Sequence, residues 1–122
     1  MNNLQVIPEG KWQRIKISGN HTWTPSTFFP QLDSVLLRIK FLLEENKDCN
    51  ILFDLSDLDT IDSSLITIFV QTVRLCGKKP VCIIAPNNDV YHWLCLLGIN
   101  RLAQIFETNE EWRNKQEAVP QI

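Results

Sequence analysis

The chain has 122 residues, 44% of them hydrophobic, with 12 basic against 14 acidic side chains and a formal charge of −2. That is one domain's length, with enough apolar material for a core that needs no metal or disulfide staple. The near-neutral balance argues against a partner dominated by nucleic-acid phosphate, and no run approaches the ~18 apolar residues of a membrane span.

The first elements are two strands. Leu4 to Ile7 and Trp12 to Ser18 flank Pro8-Glu9-Gly10, a turn sequence, and together predict a hairpin. A connection with Trp23, Pro25, Phe28, Phe29 and Pro30 is expected next, its aromatic side chains folding back on the core or offering a contact to a partner. Leu32, Val35, Leu36, Ile39, Leu42 and Leu43 then follow helical spacing, ending near Glu45-Asn46. Ile51-Leu52-Phe53 and Val81-Cys82-Ile83-Ile84-Ala85 are short, continuous apolar runs of the kind found in buried parallel strands. Between them, Ser63 to Cys76 is apolar on most sides and closed by Gly77, which predicts a well-buried helix.

A third helix is expected over Asn88 to Leu97, with Val90, Trp93, Leu94 and Leu97 on its packed face, Asn87 or Asn88 as its cap and Gly98 at its exit. Leu102 to Phe106 reads as a last strand, and Thr108-x-x-Glu111 matches a capping box for a last helix carrying Trp112. The order ββ-α-β-α-β-α-β-α implies an α/β domain with a mostly parallel sheet, an N-terminal hairpin and about four helices. Lys78 and Lys79 read as a solvated turn. Met1-Asn2-Asn3 starts no basic segment followed by an apolar core. Cys49, Cys76, Cys82 and Cys95 show neither CxxC pairing nor zinc-ligand rhythm. Free, buried thiols in a cytoplasmic protein are therefore expected.

The chemistry-bearing stretch runs from Phe53-Asp54-Leu55-Ser56 through Asp57, Asp59 and Asp62 to Ser63-Ser64-Leu65. A buried strand ends near Leu55, a polar loop follows, and Asp62 is placed to cap the helix whose first turn holds Ser63 and Ser64. First-turn amides lack intrahelical partners and favour anions. A phosphate on Ser64 would bring about −1.5 to −2 charges beside those donors and close to Asp62, changing the surface that a partner reads. Capping alone also accounts for Asp-Ser-Ser at a helix start.

The wider pattern, from about Trp12 to Trp112, resembles the STAS domain, the sulphate transporter and anti-sigma factor antagonist family. The resemblance rests on Asp54-Leu55-Ser56 leaving the strand, Ile61-Asp62-Ser63-Ser64 opening a helix, and Trp93-x-x-Leu96-Leu97-Gly98-Ile99-x-x-Leu102-x-x-Ile105-Phe106. It implies a single STAS-like domain over residues 1–122, with a recognisable core at about 12–112 and a polar end at 113–122. It also implies an anti-sigma factor antagonist that binds an anti-sigma factor which is itself a serine kinase. That kinase would phosphorylate Ser64 and a serine phosphatase would restore it. The nucleotide and metal would come with the kinase, so no cofactor is implied for this chain.

The docking surface implied is Ser56, Asp57, Asp59, Asp62, Ser63, Ser64, Leu65, Thr67 and Gln71, with the next helix, Asn88 to Leu97, as an optional extension of it. Many members continue Asp-Ser-Ser-Gly-Leu-Gly, whereas here Leu65-Ile66-Thr67 supplies neither glycine. Such a departure suits a constitutive STAS-like scaffold without a phosphorylation switch, or a kinase that accepts a leucine after its target. A Mg²⁺-dependent or phosphoacceptor enzyme built on the Asp54–Asp62 loop is an alternative of another class. It lacks a receiver's acidic pair after the first strand and its lysine after the last. A small-ligand sensor has no pocket signature. A nucleophile-based hydrolase has only His21 and His92 to draw on, neither placed beside a serine or cysteine, and no phosphate-cradling glycine motif is present.

Overall fold

A computed structural model describes residues 3–18, 25–46, 48–58, 61 and 63–118, with side chains described except at 3, 18, 25–34, 63–64 and 117–118. Strands β1 (Asn3–Glu9) and β2 (Trp12–Ser18) form the expected hairpin, but β1 continues through Pro8 and Glu9. The turn is the pair Gly10-Lys11, with Gly10 at φ +61°. Pro8 is tolerated because β1 is an edge strand, where a missing ladder donor costs little. Helix α1 (Pro25–Glu45), strand β3 (Asn50–Asp54), helix α2 (Ser63–Cys76), strand β4 (Val81–Ile84) and helix α3 (Asn88–Leu96) follow. A 3-10 turn (Ile99–Arg101), strand β5 (Gln104–Phe106) and helix α4 (Asn109–Ala118) complete the chain. The sheet order is β1-β2-β3-β4-β5; β1 and β2 are antiparallel and every other pair is parallel.

Three expectations are corrected. The connection expected through Pro30 is helical from Pro25 onward. A proline is pre-organised for the first helical position, where its missing N–H would have had no intrahelical partner. Trp23 and the side chains of Phe28 and Phe29 lie outside the described residues. The last strand starts at Gln104 and not at Leu102. Gly98, at φ +79°, ends α3, and Ile99 then enters the core while its carbonyl accepts from the Leu102 and Ala103 amides. Finally, α3 buries Val90 and Leu94 but leaves Trp93 and Leu97 exposed. A nine-residue helix packed on one side covers only a narrow stripe.

Strand periodicity divides the core in two. Ile15, Ile17, Ile51, Phe53, Val81 and Ile83 face α1, α2 and α3, joined there by Val35, Ile39, Leu65, Ile68, Phe69, Val90 and Leu94. Phe53 and Phe69 meet edge-to-face at 4.9 Å, fixing α2 on the central strand. On the opposite face Leu52, Cys82, Ile84 and Phe106 pack under Trp112 of α4, with Trp12 edge-on to Trp112 at 5.4 Å. Both α3 and α4 start as the sequence indicates. Asn87 accepts from the Asp89 and Val90 amides, and Thr108 Oγ1 accepts from the Glu111 amide. The return arm of the capping box differs, because Glu111 accepts from the Glu107 amide. Since α4 runs to Ala118, residues 113–118 belong to a helix of the domain. Among the described residues no helix is long and apolar enough to cross a membrane.

Cys49, Cys76, Cys82 and Cys95 are free, the first three buried. Burial pushes the Cys76 and Cys82 thiols up to about 11 each. At pH 8 only about one in a thousand of such thiols is ionised, so iodoacetamide is expected to label them in denaturant but not in the native protein. Labelling of Cys76 or Cys82 without unfolding, read by mass spectrometry, would contradict the packing. Thr72 is completely buried in α2, and its hydroxyl has no hydrogen-bond partner among the described residues. Thr72→Val removes that unmet group and is expected to raise the unfolding free energy by about 1 kcal/mol in urea titration.

Candidate functional site

The site is built where β3 ends. Asp54 is the strand's last residue and sits on the α4 face, because its neighbour Phe53 faces the other core. Its Oδ2 accepts from Arg14 Nη1 at 2.9 Å, and its Oδ1 accepts from the Ser56 amide at 3.0 Å and from the Ser56 hydroxyl. Asp54 thus holds the first residues of the loop in a turn of its own making. Arg14, only 6% exposed, is the centre of the cluster. It donates Nε and Nη2 to the two carboxylate oxygens of Glu9 at 3.0 and 3.1 Å, and Nη2 to Asn109 Oδ1 at 2.6 Å. Its guanidinium lies 5.4 Å from the centre of the Trp112 ring. Arg113 Nη2 stands 3.9 Å from Glu9 Oε1 at the rim.

The ionisation states follow. Burial alone would raise the Asp54 carboxyl, but the Ser56 hydroxyl and amide and the Arg14 charge outweigh it and hold the group below the ordinary carboxylate value. Burial likewise works against the Arg14 charge, and its bonds to Glu9 and Asp54 more than compensate, so it stays above its usual value.

Beyond Asp54 the loop is pinned from below. The Leu55 amide donates to the Ile84 carbonyl at 2.9 Å and the Leu58 amide to the Leu55 carbonyl at 3.1 Å. Leu55 and Leu58 are buried and Ile61 packs against the core. Ser56 and Asp57 stay at the exposed apex. Asp57 is 3.5 Å from Lys16, a half-exposed pair worth little by itself. Helix α2 then starts at Ser63.

The expected site residues separate accordingly. Ser56, Asp57 and Thr67 are exposed and Gln71 is half-buried one turn after Thr67. Ser63 and Ser64 form the first turn of α2, their side chains outside the described residues, as are Asp59 and Asp62 altogether. Leu65 is corrected: it is fully buried in the α1–α3 core and contributes no surface for a partner, because its helical position points at the sheet. For the aspartate-loop enzyme, Asp54 and Asp57 each engage a cation of β2. No group of three metal-ligating side chains occurs among the described residues. His92 is exposed on α3, and His21 is outside the described residues. An open cleft of about 410 Å³ beside the Arg14 cluster is lined by Glu9, Gly10, Trp12, Trp112, Arg113 and Gln116.

Arg14, Glu9 and Asn109 were not legible as part of this site. In the alternation of β2, Arg14 falls between Trp12 and Lys16, a pattern that reads as a solvent-facing edge. The one signal available was Trp112 on α4, which requires a covered second face.

The STAS domain family model matches residues 26–112. No curated protein sequence gave a significant match. Among solved structures, the chain is similar to an anti-sigma factor antagonist from Mycobacterium paratuberculosis, with TM-score 0.76 and 14% identity over 94% of this chain and 93% of that one. It is similar to the anti-sigma factor antagonist SpoIIAA in its unphosphorylated form, with TM-score 0.73 and 13% identity over 97% and 99% of the two chains. The phosphorylated form of SpoIIAA, described as a Bacillus cell fate determinant, gives TM-score 0.65 and 13% identity over 93% and 99%. At these identities the likeness is one of fold.

Arg14→Met leaves Asp54 buried without its cation and is expected to cost about 3 kcal/mol in urea unfolding. Because the folded-state value of Asp54 lies below that of the unfolded chain, its contribution is complete above the unfolded value, near pH 4. It is lost as pH falls through the lower folded value. Asp54→Asn should therefore flatten the acid limb of Tm against pH, and an unchanged acid limb would show that the pair is not formed.

Proposed function

The chain belongs to the STAS domain family, and from that premise we propose that it is an anti-sigma factor antagonist regulated by phosphorylation of Ser64. Its partner in this reading is a cytoplasmic anti-sigma factor that is also a serine kinase, and a serine phosphatase reverses the modification. The observation that carries the proposal is the position of Ser64 in the first turn of α2, directly after a loop held by Asp54 and by buried Leu55 and Leu58. A rigid base under a short polar apex lets one added charge change what the surface presents without unfolding the domain. First-turn amides tolerate that charge.

The departures from the family pattern bear on this reading. With Leu65 turned into the core, the residue after Ser64 leaves the approach to the helix start unobstructed by its side chain. Thr67 remains on the surface, one turn along α2. The docking face is then Ser56, Asp57, Asp59, Asp62, Ser63, Ser64, Thr67 and Gln71. Binding needs no cofactor in this chain, and SpoIIAA, a protein of the same fold, is known in both a phosphorylated and an unphosphorylated form.

The test is capture of partners from native-cell lysate on wild type, Ser64→Ala and Ser64→Asp, read by mass spectrometry. Wild type and Ser64→Ala are expected to recover an anti-sigma factor of the serine-kinase type. Ser64→Asp should bind it at least about tenfold more weakly, or about 1.4 kcal/mol. If all three baits recover the same proteins and wild type carries no phosphate at Ser64, the serine is a helix residue only. The domain would then act as a constitutive scaffold.

A further inference from the structure

None of the docking residues named above lies on α3. Trp93 is 54% exposed, Leu96 62%, Leu97 53% and, beyond the 3-10 turn, Leu102 47%. Single exposed apolar side chains need no explanation, but these four are close in the chain, on one helix and its exit. Together they present on the order of 400 Å² of apolar surface, the size of the largest patch on a typical monomer, which is often functional. Helical spacing places Asp89, Trp93 and Leu96, at i, i+4 and i+7, in one stripe. Leu97 follows at the C-cap of α3, and Leu102 lies just beyond the 3-10 turn.

The charges at the ends of this stripe indicate what covers it. Asp89 lies in the first turn of α3 and Arg101 past its C-terminal end, on the 3-10 turn; both are exposed, and neither takes part in the ion pairs of the described residues. An apolar middle with an acid at one end and a base at the other is complementary to itself when reversed. We propose that this face binds a second copy of the chain, the two α3 helices lying antiparallel about a two-fold axis near Trp93 and Leu96. In such an isologous contact Asp89 of each copy meets Arg101 of the other, both pairs forming at once. A parallel arrangement would set Asp89 against Asp89 and is disfavoured.

Two patches bury about 800 Å² of apolar surface, and their polar rims bring the total near 1,200 Å², the lower end of specific interfaces. Interfaces at this lower end are those of transient encounters, and a reversible dimer with Kd on the order of 10–100 µM is expected. It does not depend on Ser64 being phosphorylated.

Sedimentation velocity on the whole chain, from about 1 to about 500 µM, tests it. Wild type is expected to pass from monomer to dimer across this range. Trp93→Glu should weaken association at least about tenfold, with circular dichroism and urea unfolding unchanged because the side chain is exposed. Asp89→Arg and Arg101→Asp are each expected to weaken it several-fold, and the double exchange to restore the wild-type constant within about twofold. A wild-type chain that stays monomeric at the highest concentration overturns the proposal and assigns the face to a different protein. A dimer insensitive to Trp93→Glu, or a double exchange that does not recover, overturns it as well.

Discussion

A guanidinium almost withdrawn from solvent constrains much of this molecule. Arg14 projects from β2 to the side of the sheet that α4 covers, and an unpaired charge there would cost several kcal/mol. It is matched by Glu9 from β1, Asp54 from β3 and Asn109 from α4, with Trp112 packed across its face. Three parts of the chain, the β1–β2 hairpin, β3 and α4, must therefore be in place together. The hairpin cannot slip in register without moving Glu9 from Arg14, and α4 cannot leave without exposing Trp112 and taking Asn109 with it.

The same charge organises the functional end of the domain. One oxygen of Asp54 is committed to Arg14, and the other is left to hold the amide and hydroxyl of Ser56. The loop therefore starts from a fixed point, and its later anchors, Leu55 and Leu58, are apolar and buried. A polar clamp on one face of the sheet and a hydrophobic one on the other leave the apex, Ser56 and Asp57, as the part open to a partner. Helix α2 is held against β3 by Phe69 on Phe53 and against the core by Leu65 and Ile68, so its first turn is carried on a rigid body. In the proposed reading this is the arrangement a small charge-based switch needs: an added charge would act on a surface whose underlying structure does not yield.

The two faces differ in what they leave exposed. The α4 side is closed by aromatic packing and ion pairs. On the other side α3 is short: it buries Val90 and Leu94, sets Tyr91 partly against the core, and turns Trp93 and Leu96 outward. Nine residues with two inward positions cannot hide Trp93, Leu96 and Leu97 as well. An exposed stripe of this composition has a cost in solubility, which self-association would offset.

Much of the fold was determined by the sequence alone, because its signals are local. The helical spacing from Val35 to Leu43, the unbroken runs at Ile51 and Val81, Gly77 and Gly98 at helix exits, and the Asn87 and Thr108 caps each depend on residues within a few positions of one another. So does the Asp54-Leu55-Ser56 to Ser63-Ser64 pattern that marks the candidate site. Tertiary structure decided which side each element shows and what lies beneath it. Arg14 alternates like a surface residue and is buried because α4 closes over it; Leu65 stands beside a serine in the motif and belongs to the core; Trp93 carries the largest side chain on α3 and faces outward. Periodicity defines a stripe on an element, whereas burial of that stripe depends on which distant element arrives to cover it, and Glu9, Asp54 and Asn109 meet at Arg14 only once the whole sheet and α4 have assembled.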